Sequence, residues 1–180
     1  MRRWITYIRW IGFLLPLWLP QAWASDSQLS LHLATLQAEA ITEERGDEVY
    51  LSISKYSNKN PPEEFRVPSK PLNWFFKKMD SIKNINLWEG KISEDETLKL
   101  VISVVEQDIP PWDVDDLIGT VQVNIQYAKS DRPQVTWMIP KMDGQPEIDD
   151  LGPVQDHGRH YVLRGENSKY DLVLHLHVGR

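Results

Sequence analysis

Thr97-Leu-Lys-Leu-Val-Ile-Ser-Val-Val-Glu-Gln-Asp-Ile-Pro-Pro-Trp-Asp-Val-Asp-Asp-Leu-Ile-Gly-Thr120 decides the fold class. In its first half Leu98, Leu100, Ile102 and Val104 recur every second residue, which puts them on one face of a β-strand over Thr97–Val105. An acidic, proline-containing loop follows, and the period of two resumes in Thr120–Tyr127 with Val121, Val123, Ile125 and Tyr127. Two β-branched runs broken by a turn-forming loop read as consecutive strands.

The same signature extends in both directions. Leu29, Leu31 and Leu33 alternate in Leu29–Thr35, as do Val49, Leu51 and Ile53 in Glu48–Ser54. Shorter strands are expected at Glu64–Val67, Asn84–Trp88, Val135–Ile139 and Tyr161–Leu163. The chain ends in Tyr170–Val178, where Leu172, Leu174, Leu176 and Val178 share a face, so this last strand should lie inside a sheet. Pro71–Asp80 reads as a short helical turn, while Asn60–Pro71 and Asp143–Gly158 read as excursions available to a partner. Strands with one apolar face must bury those faces against one another. The expectation is therefore all-β: a single antiparallel β-sandwich of about eight strands.

Residues 1–24 read as a signal peptide and 25–180 as the working domain. Basic Arg2, Arg3 and Arg9 precede the apolar run Trp10–Leu19, and Ala22 and Ala24 supply small residues before a cleavage point. Roughly ten apolar residues fall short of the about 20 that a membrane-spanning helix needs. The leader carries three of the 20 Lys and Arg residues and none of the 26 Asp and Glu residues. The remaining chain, with 17 basic against 26 acidic residues, has a net charge of about −9. Such a balance argues against nucleic acid and weakens attraction to anionic lipid. With no cysteine the chain has no disulfide, thiol nucleophile or thiolate metal site. A periplasmic or secreted location is expected.

Glu106 and Asp108 are two apart at a strand end, so their carboxylates point the same way, and Asp113, Asp115 and Asp116 follow in the loop. This pattern, with Asp116-Leu-Ile-Gly119 at its end, resembles the third calcium loop of C2 domains. The resemblance extends to Ile41-Thr-Glu-Glu-Arg-Gly-Asp-Glu-Val-Tyr50, similar to the acidic loop that opens the second C2 strand. The closing segments Tyr161–Gly165 and Tyr170–Val178 resemble those of small exported bacterial proteins of the same organisation. The resemblance implies a C2-like domain in which Glu43, Asp47, Glu106, Asp108, Asp113 and Asp116 supply hard oxygen ligands for Ca²⁺. Trp112, at the expected loop tip beside Ile109 and two prolines, would be a partner-binding residue, with a weak membrane contact as the lesser use. Without an ion, the same acids would serve as a solvated loop end.

His175 and His177 lie two apart on the last strand, opposite its leucine face, and His32 lies opposite Leu31 and Leu33. If the first and last strands were neighbours, three imidazoles would share a face, a donor set suited to zinc or copper. The plainer expectation is three exposed polar residues on unrelated parts of the surface. His157 and His160 fall in a loop and carry no assignment.

No Gly-x-Ser-x-Gly elbow, His-Glu-x-x-His or phosphate-cradling glycine loop occurs. The paired acids have the type needed for glycoside cleavage, but no series of aromatic subsites accompanies them. The expected function is therefore non-enzymatic. An exported binding module would recognise a protein or envelope component through the acidic loops, with Ca²⁺ as its ion. The alternatives are a periplasmic inhibitor or immunity-type protein that blocks a hydrolase without metal, and then a carbohydrate- or envelope-processing enzyme.

Overall fold

The computed structural model describes residues 27–108, 114–127, 133–155 and 157–179. They form two antiparallel sheets and no helix. In chain order the strands are β1 (Ser27–Ala40), β2 (Asp47–Ser57), β3 (Glu63–Val67), β4 (Trp74–Phe76), β5 (Ser81–Ile92) and β6 (Thr97–Glu106). They continue with β7 (Asp116–Gln126), β8 (Gln134–Met138), β9 (Glu147–Val154), β10 (Gly158–Arg164) and β11 (Lys169–Val178). One sheet has the order β5-β1-β11-β10-β9; the other has β3-β2-β6-β7-β8, with β4 also paired to β2.

The alternating leucines explain the sandwich. Leu31 pairs with Leu176, Leu33 with Leu174 and Leu36 with Leu172. Across the core, Ile53 pairs with Ile102, which pairs with Val121. All of these side chains are fully buried. Each contributes roughly 1.5–3 kcal/mol relative to an exposed position. The parity of β1 changes midway: Leu29, Leu31 and Leu33 face inward, and then Leu36 and Ala38 do. A register shift between Leu33 and Thr35 absorbs the extra residue. Such a bulge lets one strand continue with its apolar face still inward.

The sandwich is as expected, but the described residues form eleven strands rather than about eight. Residues 71–80 are not helical; they contain β4, whose short run Trp74-Phe-Phe76 pairs with the start of β2. The 143–158 stretch is not an open excursion, since β9 occupies half of it and forms an edge of the first sheet. Pro153 is tolerated there because an edge strand leaves one row of backbone groups unpaired. β11 lies between β1 and β10, inside its sheet as its pattern demands. No helix among the described residues is long and apolar enough to cross a membrane.

Candidate functional site

The turn at 41–46 and the ends of β2, β6 and β11 meet at one end of the sandwich. Gly46 permits that turn. Its φ is +118°, and a Cβ there would lie 2.6 Å from the Phe75 ring and 2.6 Å from the Phe76 carbonyl oxygen. Only glycine fits both constraints. The next residue, Asp47, is fully buried. Its Oδ1 accepts from the backbone N–H groups of Thr42 and Glu43 at 2.9 and 3.0 Å. Its Oδ2 accepts from the Tyr170 hydroxyl at 2.6 Å. Tyr170 is itself buried, with its ring edge-on to Phe76 at 5.6 Å. Burial, together with the bond to Asp47, raises its phenol far above the ordinary value.

Glu106, the last residue of β6, stands opposite Val49 on one side and Asp116 on the other, and is 3% exposed. Burial, and then the charge of Asp47 and a hydrogen bond to it, push Glu106 up to about 8. That rise favours the protonated form of Glu106 beside Asp47, since two like charges at close range repel.

The structure thus brings Asp47 and Glu106 into contact, with Asp108 close enough to act on Glu106 electrostatically. Glu43 contributes its backbone N–H to the cluster while the residue stays exposed. Asp116 is not in a loop; it opens β7 and is exposed. Asp113 and Trp112 lie outside the described residues. Of the six expected ligands the described residues bring Asp47, Glu106 and Asp108 near one another, with both Asp47 oxygens engaged by protein donors. Among the described residues no group of three or more His, Asp or Glu side chains is arranged to hold a metal ion. Tyr170 was missed in the sequence because its aromatic ring simply continues the apolar face of β11.

A second layer surrounds this cluster. Tyr50 donates to Asp115 Oδ2 at 2.8 Å, and the Arg66 guanidinium stacks on the Tyr50 ring 3.7 Å from its centroid. Burial and the Asp115 bond push the Tyr50 phenol up to about 12. Arg66 also donates to the carbonyls of Pro68 and Leu72, to Asn73 Oδ1 and to Gln107 Oε1. Its fork is filled by protein acceptors, so it serves as a clamp on residues 68–73 and leaves little for an anionic ligand.

On the outer face of the first sheet, β1 pairs with β11, His32 lies opposite His175, and Ser30 lies opposite His177. The rings of His32 and His177 are 4.8 Å apart, and those of His175 and His177 are 6.1 Å apart. The plainer expectation of unrelated surface histidines does not hold. His160 lies apart from them, bonded to Asp171 at 3.3 Å.

No protein family model matches the chain, and no curated protein matches it. Among solved structures it is similar to a C2 domain of plant extended synaptotagmin 1, at 14% identity. That match covers 84% of this chain and 94% of the other, with a TM-score of 0.33. No residue role passes across a likeness of that size.

Proposed function

We propose that the domain is an exported, non-catalytic binding module that engages a protein or cell-envelope component through the Asp47 end of the sandwich. One observation carries the reading. Exposed Phe75, Met79 and Val114 gather at that end, at 54%, 61% and 80% exposure. Phe75 sits on β4 against Gly46, the Met79 N–H bonds the Ala38 carbonyl, and Val114 immediately precedes Asp115. Glu43, Glu44, Glu48, Asp115 and Asp116, all exposed, lie on the turn and strand ends at the same end, and exposed Lys77 and Lys78 follow β4. Apolar side chains rimmed by charge are the surface chemistry of a protein-recognition patch.

The reading does not require calcium. An ion at Asp47 would have to compete with the Tyr170 hydroxyl and the Thr42 and Glu43 N–H groups, so chelation should leave recognition intact. The test is a pull-down from envelope extract with the purified protein, with and without chelator, alongside Phe75→Ser and Val114→Ser variants. A Leu151→Ser variant, altered elsewhere at another exposed apolar residue, is the control. One partner held by wild type and control but lost from both end variants supports the reading. Equal recovery by all variants refutes it, and recovery only with Ca²⁺ present would show that the acidic end reorganises around an ion.

A further inference from the structure

The second chemically loaded place in the molecule is the imidazole group on the outer face of the β1–β11 pair, far along both strands from the Asp47 end. Register places it there: with His32 opposite His175 and Ser30 opposite His177, three histidines occupy adjacent positions of one face. Neighbouring β5 adds Glu89 opposite Ser30, close enough to act on His32, with its Oε1 accepting from Gln28 Nε2 at 2.8 Å. We propose that His32, His175 and His177 form a surface binding site for a divalent transition-metal ion of the zinc–copper class, with water or Glu89 completing the shell.

The ring spacing supports this. Two imidazoles on one tetrahedral ion, each about 2.0–2.1 Å from it through nitrogen, have ring centroids roughly 5 Å apart. The His32–His177 separation of 4.8 Å already meets that, and the 6.1 Å between His175 and His177 needs closing by about an ångström. His175 is the ring out of place: it leans toward β10, where a Cβ on Gly158 would lie 2.5 Å from its Cδ2. Ligation by all three rings requires a rotation of the His175 side chain, and as placed no three-ligand cluster stands among the described residues.

Two further features fit. His32 Nε2 is bonded to Ser30 Oγ at 3.0 Å, which orients the ring and leaves Nδ1 for an ion, the usual second-partner arrangement of a ligating histidine. Three imidazoles with an adjoining carboxylate and no thiolate select zinc or copper over calcium or magnesium. The inference is independent of the partner-binding reading, because it concerns another face and a different ligand.

Zn²⁺ titration calorimetry of the purified, untagged protein tests it, with Co²⁺ absorption and Cu²⁺ electron paramagnetic resonance as ligand-sensitive probes. One Zn²⁺ per chain is expected at micromolar affinity and undisturbed by millimolar Ca²⁺. Cu²⁺ should show nitrogen coupling from imidazoles. His32→Gln, His175→Gln and His177→Gln should each weaken binding by more than about 100-fold, beyond the roughly 10- to 100-fold seen when only an outer partner is lost. His157→Gln should leave it unchanged. His177 is exposed, so its variant is expected to melt with wild type and separates ligation from folding. No binding, binding indifferent to these three variants, or an unaltered affinity in His175→Gln would overturn the three-imidazole site.

Discussion

The hydroxyl of Tyr170 donates to Asp47 Oδ2 at 2.6 Å, joining residues 123 positions apart in the chain and tying the start of β11 in one sheet to the start of β2 in the other. The same aspartate holds the 41–46 turn through Thr42 and Glu43, so one side chain fixes both a loop and the closure of the sandwich. Removing one partner of a buried hydrogen bond leaves the other unsatisfied. Tyr170→Phe should therefore lower unfolding stability by about 1–3 kcal/mol, read from urea denaturation. A variant as stable as wild type would show that the bond contributes nothing net.

Glu106 and Glu96 give stability opposite pH dependences. Glu106 has a folded value of about 8 against an ordinary 4.5, so its contribution is full below about 4.5 and is lost as pH rises toward 8. Glu96 behaves in the reverse way. Burial disfavours its charge, but bonds from the Ser57 hydroxyl and from the Ser93 hydroxyl and N–H prevail and lower it. Its contribution is present above its ordinary value and is lost as pH falls through the depressed one. Unfolding across a pH series should show Glu106→Gln flattening the decline between about pH 4.5 and 8, and Glu96→Gln the decline at acid pH. A decline between about pH 4.5 and 8 unchanged in Glu106→Gln would mean that Glu106 is already ionised in the fold.

Arg66 fixes the 68–73 segment through a planar fork that lysine does not reproduce. Arg66→Lys keeps the charge but should still cost about 1–3 kcal/mol and hasten proteolytic cleavage within that segment. Wild-type protection in the lysine variant would reduce the clamp to a simple charge effect.

The position of β11 between β1 and β10 makes the C-terminus structural. Deleting residues 172–179 removes Leu172, Leu174 and Leu176, each fully buried, and at about 2–5 kcal/mol per lost core leucine the protein should not fold. Cooperative melting of the truncated chain would contradict this account.

What was legible in the sequence depended on how local its cause was. The long strands declared themselves because Leu98 to Val104, or Leu172 to Val178, carry their own period of two. β4 was hidden because three residues are too few to show a period, and β9 because Glu147-Ile-Asp-Asp-Leu-Gly-Pro-Val154 lies at an edge and has no continuous apolar face to display. β1 was read short because the bulge after Leu33 breaks the parity on which the reading relied.

The sequence by itself determined the class of fold, since many strands with one apolar face must bury those faces against one another. It also placed acids at the strand ends now occupied by Asp47 and Glu106. Only the tertiary structure decided what those acids do: with Tyr170 and the Thr42 and Glu43 backbone supplying the donors, Asp47 braces the sandwich, and Glu106 is buried beside it. Register likewise decided that His32 faces His175 across β1 and β11. Periodicity is set by neighbours along the chain, whereas strand order and pairing are set by the packing of the whole core, which no short stretch of sequence contains.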